Sequence, residues 1–137
     1  MMKRTLCLLF AAVLLGLSLS ACSNNVFIKS YGASELYSKH DMNAAVNELM
    51  RRFNRWEDKC RMIEVKYAGD DVSLENLDYC NSLAQGETYD ACIVFITAFR
   101  TPSKTGALNP NEYYTGYTWY LARSGAGAWK VITCGYG

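Results

Sequence analysis

Six cysteines, a single histidine, ten tyrosines and three tryptophans are the residues with chemistry to offer in this 137-residue chain. Cys60, Cys80, Cys92 and Cys134 form an even set, widely spaced along the sequence. In an oxidising compartment four such cysteines read as two disulfides, with three possible pairings. No C-x-x-C pair occurs and only one histidine is available, so a zinc site is a poor alternative and no metal is expected. The other alternative is that one or more stay free, buried as small apolar residues.

His40, between Lys39 and Asp41, is the one imidazole. A general base needs reach to its substrate and an orienting partner, and no G-x-S-x-G turn supplies a nucleophile. Asp70 and Asp71 form an acidic pair. Paired carboxylates bind hard cations or divide acid and base roles, yet an acidic turn at a helix start explains them as simply. His40 and Asp70 are therefore the acid/base candidates, and no catalytic residue is assigned. Arg51, Arg52, Arg55, Lys59 and Arg61 make the only basic cluster, interrupted by Glu57 and Asp58. It reads as a solvated helix face more readily than as a contact for anionic headgroups.

Aromatic residues crowd the C-terminal quarter. Tyr117, Trp119, Tyr120, Trp129 and Tyr136 are the ligand-binding candidates, because a cavity lined by rings and hydroxyls suits a small organic ligand. The competing reading is that these rings fill the core. No dinucleotide or phosphate-loop glycine pattern occurs, so no cofactor is expected.

The beginning of the chain bears on location. A basic start at Lys3 and Arg4 precedes an apolar run from Leu6 to Leu19. That run is shorter than the ~20 residues of a membrane span but suits the core of a secretory signal. Leu19-Ser20-Ala21-Cys22 resembles the lipobox of bacterial lipoproteins. The resemblance implies cleavage before Cys22, a diacylglycerol on its thiol and acylation of the new amino terminus. Each buried methylene contributes about 0.8 kcal/mol, so two or more chains anchor firmly. The reading is a signal peptide at 1–21, a lipidated Cys22 and tether at 22–36, and one domain at 37–137. Localisation follows: a bacterial membrane, lipid-anchored, with the domain outside the cytoplasm. Without Lys3 and Arg4 the 14 basic residues become 12 against 13 acidic ones. This balance offers nothing to nucleic acid.

The elements that must position these residues follow from periodicity. From Ser38, paired with Asp41 as an approximate capping box, Met42, Ala45, Val46, Leu49, Met50, Phe53 and Trp56 form one helical stripe. Ile63, Val65 and Tyr67 alternate with polar residues as a strand. Ser73 is positioned to cap a short helix bearing Leu74, Leu77 and Cys80. Residues 91–96 are continuously apolar, as in a central strand covered on both faces. Residues 100–111 form a loop, and Tyr113 to Arg123 and Ala128 to Cys134 form a hairpin about Ser124 to Gly127. By alternation Trp129, Val131 and Thr133 share a face and Cys134 points away from it. The class is α+β: a cone-like roll in which a curved antiparallel sheet packs against a long N-terminal helix and a short second helix.

The stretches "YAGD" (67–70), "ALNPN" (107–111), "YTWYLAR" (117–123) and "AWKVITCGYG" (128–137) resemble a family of small lipoproteins from gut Clostridia and related bacteria. That family is described as a domain of unknown function with a nuclear-transport-factor and cystatin-like roll. The resemblance implies the roll and the lipid anchor, and carries no catalytic residue. The leading functional expectation is noncatalytic binding of a small organic ligand or an envelope protein. The alternatives are an enzyme using a Tyr/Asp/His cluster in the cone cavity, or a purely structural accessory lipoprotein.

Overall fold

Ser38 opens the first helix because its side chain and that of Asp41 satisfy each other's backbone. The Asp41 amide donates to Ser38 Oγ at 3.1 Å and the Ser38 amide donates to Asp41 Oδ2 at 3.2 Å. The resulting α1 runs Lys39–Phe53 in a computed structural model that describes residues 26–136. The expected leader at 1–21 and Cys22 lie outside the described residues. Met42, Ala45, Val46, Leu49 and Phe53 of α1 are buried along the stripe anticipated from the sequence. Trp56 lies beyond the helix end, yet its ring stacks on Trp119 with centroids 5.5 Å apart.

Among the described residues five strands form one mixed sheet in the order β1-β2-β3-β4-β5. They are β1 (Ile28–Ser30), β2 (Arg61–Tyr67), β3 (Ala91–Arg100), β4 (Tyr113–Arg123) and β5 (Lys130–Gly135). The α+β class stands, but the wholly antiparallel sheet does not. Residues 28–30, read as tether, add a parallel edge strand, Ile28 opposite Glu64. Joining two parallel strands requires a crossover, and α1 is that crossover. The short second helix is two: α2 (Asp70–Glu75) and α3 (Leu77–Ser82). Ser73 does not cap; it is fully buried within α2, and its Oγ accepts the Val94 amide at 3.2 Å. Leu74, expected inside, is 59% exposed.

Helices cover both faces of the sheet. Alternation along β3 sends Ile93, Phe95 and Phe99 into the core beneath α1, and Cys92 and Val94 into a second cluster with Cys80 of α3. The apolar run 91–96 is thereby explained for its first five residues. Ile96 lies past the cover of α2 and α3 and is 37% exposed.

Three bulges interrupt the pairing, one of which decides side-chain placement. Tyr120 pairs with Thr133 but Leu121 pairs with Val131, leaving Ile132 as an extra residue in β5. A one-residue slip exchanges faces for everything beyond it. Thr133 therefore lies beside Tyr120, while Cys134 faces the α1 core with Trp129 and Val131. Both assignments reverse the simple alternation. Before β5 the chain turns at Ser124 to Gly127, with Gly125 at φ +56° and the Gly127 amide donating to Ser124 O at 3.0 Å. A Cβ at Gly127 would sit 2.9 Å from that same oxygen, so the turn needs glycine there.

Candidate functional site

The five ring candidates do not share a cavity; the sheet divides them. Trp119, completely buried, faces α1 and belongs to the core. Its Nε1 donates to Thr97 Oγ1 at 3.1 Å, and Thr97 Oγ1 donates to the Tyr117 carbonyl at 3.0 Å. Phe53, Trp56, Phe99 and Trp119 fill the space under the helix, with centroids 4.9 to 6.4 Å apart. Trp129 is also a core residue. It meets the edge of Tyr37 at 5.5 Å and lies under the Arg123 guanidinium, 4.3 Å away. Arg123 is held in turn by Asp41 at 3.1 Å. Among the described residues, Trp129 Nε1 and Arg123 Nε are buried without a hydrogen-bond partner.

Tyr117 sits at the margin of this core. Its hydroxyl donates to Cys134 Sγ at 3.8 Å, and burial raises its pKa. Its ring meets that of Tyr136 edge-on at 5.3 Å. Tyr120 points to the opposite face, where it meets Tyr79 of α3 edge-on, also at 5.3 Å.

Tyr120 and Tyr136 do come together, in an open cleft of about 320 Å³ between α3 and β5. Tyr79 and Asn76 form one wall, and Thr133, Cys134 and Gly135 complete the lining. The β5 bulge makes this cleft by bringing Thr133 beside Tyr120. Burial raises the pKa of Tyr120, with Tyr79, Cys92 and Cys80 adding to it, and burial also raises that of Tyr136. Both phenols are neutral donors and acceptors at ordinary pH. Among the described residues the lining holds no Asp, Glu, Lys, Arg or His. Such a surface stacks on and hydrogen-bonds to an uncharged ligand.

The acid/base candidates are not assembled. Asp70 accepts Ser34 Oγ at 2.5 Å, Tyr67 OH at 2.7 Å and the Glu35 amide at 2.8 Å. Those bonds, Ser34 first, hold its carboxyl below the ordinary value, so it is an ionised anchor for the segment entering α1. Asp70 and Asp71 also lie in the first turn of α2, as the acidic-turn reading expects. The structure thus unites Asp70 with a tyrosine, whereas His40 is exposed on the first turn of α1. Among the described residues, no cluster of three or more His, Cys, Asp or Glu is placed to hold a metal. No described helix is long and apolar enough to cross a membrane.

The four cysteines among the described residues, Cys60, Cys80, Cys92 and Cys134, are thiols in this structure. Cys80 and Cys92 touch, Sγ to Sγ 3.2 Å, and the Cys80 contact together with burial pushes the Cys92 thiol up. Cys60 and Cys134 are half-buried.

Sequence reasoning missed Asn76, Tyr79 and Thr133 as cleft residues. It also missed Asp58, whose carboxylate accepts the amides of Gly106 (2.6 Å), Leu108 (3.2 Å) and Ala107 (3.3 Å) and so clamps the loop at 101–112. Partners 48 to 50 residues apart leave no local signal. Compared with family models, curated proteins and solved structures, the chain matches none.

Proposed function

We propose that this chain is a lipid-anchored extracytoplasmic module that binds a small uncharged ligand without transforming it. The observation that carries the reading is the tyrosine cleft. It combines three aromatic faces and several hydroxyl and amide groups in about 320 Å³, with no charged side chain in its lining among the described residues. That volume lies at the lower end of small-molecule sites, which run from roughly 300 to 1,000 Å³. The buried rings under α1 leave ligand binding to the surface. The saturated hydrogen bonding of Asp70 and the exposure of His40 favour binding over catalysis.

The anchor belongs to the same proposal. Export through a leader at 1–21 and acylation of Cys22 would hold the domain at a bacterial membrane, with residues 23–27 as the link to β1. The finer architecture proposed is the cone-like roll, and the proposed kin are the clostridial lipoproteins. An envelope protein as partner is the second reading, favoured by the exposed apolar side chains Val72, Leu74 and Leu83 on α2 and beside α3.

Two measurements on the full chain test this function. Radiolabelled palmitate should enter the wild-type protein and not Cys22→Ser; equal labelling of both would remove the anchor. Native mass spectrometry of protein extracted from host membranes should show a small adduct that denaturation releases. A clean native mass would count against an occupied cleft and favour the envelope partner.

A further inference from the structure

The four domain cysteines allow three pairings, and the sheet separates them into two sets. Cys80 and Cys92 lie in the cluster beneath α2 and α3. Cys60 and Cys134 pack against the core under α1, on the other face. A bond from either set to the other would have to pass through the sheet, which excludes two of the three pairings. The remaining pairing couples Cys80 to Cys92 and Cys60 to Cys134, and only its first bond is within reach. Cys60 adjoins β2, while Cys134 is in β5, with β3 and β4 between them. Three inter-strand steps amount to about 14 Å, twice the roughly 7 Å beyond which two cysteines cannot bridge.

We propose that Cys80 and Cys92 close a single disulfide that fastens α3 to β3, and that Cys60 and Cys134 remain thiols. The two sulfurs are 3.2 Å apart, and their residues are 0% and 2% exposed. Among the described residues theirs is the one hydrogen-bond contact between two sulfurs. The bond also has a structural task. α3 is six residues long and has no side-chain cap at its start, and a helix that short has little stability of its own. It nevertheless carries Tyr79, which forms a wall of the cleft with Asn76 just before it. A covalent tie at Cys80, the next residue, fixes that wall to the sheet.

The step balances by exchange with a disulfide oxidant, either a small-molecule disulfide or a disulfide-bearing oxidoreductase. One cysteine thiolate attacks the oxidant's sulfur and releases half of it as a thiol. The second thiolate then displaces the other half from the mixed disulfide. Two protons and two electrons leave the protein, and the oxidant departs as two thiols. Because both sulfurs are buried in the folded chain, the exchange takes place during folding. Oxidation in the cell rests on the export proposed above; the choice of partners rests on the sheet alone.

An Arg-specific protease separates the sulfurs cleanly. Cys60 falls in peptide 56–61, Cys80 and Cys92 together in 62–100, and Cys134 in 124–137. Full-length protein is made with its own leader, and membranes are dissolved in denaturant with iodoacetamide and no reductant. In parallel, reduced full-length chain is refolded in a glutathione and glutathione-disulfide buffer and treated likewise. The expected result in both is peptide 62–100 unalkylated and lighter by two hydrogens, with the other two peptides alkylated. If the refolded chain gives this pattern while membrane-derived protein is alkylated at every cysteine, the pairing stands and the export reading falls. Alkylation of both cysteines in 62–100 after refolding overturns the proposal, as does any cross-link to 56–61 or 124–137. Cys80→Ala should leave Cys92 alkylated; a new bond from Cys92 to Cys60 or Cys134 would also overturn it.

Discussion

Thr97→Val should unsettle the core by removing one oxygen atom. Thr97 Oγ1 lies 3.1 Å from Trp119 Nε1 and 3.0 Å from the Tyr117 carbonyl, with Thr97 2% and Trp119 0% exposed. Valine keeps the shape of threonine but offers the indole no acceptor. A buried donor left without a partner costs about 1–3 kcal/mol. Taking about 2 kcal/mol and a urea m-value near 2 kcal/mol/M, the unfolding midpoint should fall by about 1 M. Trp119→Phe removes the donor and some volume, at a cost of similar size. In the double variant neither polar partner of that bond remains, so the combined loss should fall short of the sum by about 1 kcal/mol. Equilibrium urea unfolding followed by tryptophan fluorescence and circular dichroism measures all four corners of the cycle. Additivity within about 0.5 kcal/mol would mean the two side chains do not interact, and would refute the bond's role.

Other perturbations separate scaffold from site. Ser38→Ala should destabilise the domain by about 1 kcal/mol through loss of the α1 capping box, read in the same urea assay. Asp58→Asn should speed amide exchange at Gly106 to Leu108, measured by hydrogen–deuterium exchange, with little change in β3 and β4. Asp58, bonded first by the Gly106 amide, and Asp70, bonded first by Ser34, both have carboxyls held below the ordinary 3.8. A lowered folded value means the ionised form is the stabilising one. Their contribution should be complete above 3.8 and fall away as pH drops through the lower folded values; Asp70→Asn should flatten that acid limb in pH-dependent melting. Tyr136→Ala, at a side chain 59% exposed, should shift stability by no more than about 0.5 kcal/mol while abolishing any ligand adduct.

Local rules reached the elements whose signals are local. The α1 stripe was legible because seven apolar side chains keep a helical period and Ser38 and Asp41 stand three apart. β4 emerged at its observed bounds because loop residues flank a dense aromatic run. β1 was opaque: three residues carry too little pattern, and their pairing with β2 depends on a crossover that only the folded chain completes. The split of the second helix escaped because Ser73 resembles a cap, whereas it is buried to accept the Val94 amide. The cleft was half legible. Tyr120 and Tyr136 stood out by type, but the bulge at Ile132 sets which face each C-terminal residue presents, and alternation cannot register an extra residue. Tyr79 contributes through α3, a wall that exists only because the helix packs against β3.

We propose that the cleft between α3 and β5 holds an uncharged ligand. The most direct measurement is native mass spectrometry of full-length wild-type, Tyr136→Ala and Tyr113→Ala proteins from the same host membranes. Tyr113 is an exposed tyrosine outside the cleft lining. One small adduct is expected on wild-type and Tyr113→Ala, absent from Tyr136→Ala although all three fold alike. An adduct of equal abundance on Tyr136→Ala, or none on the wild-type protein, would contradict it.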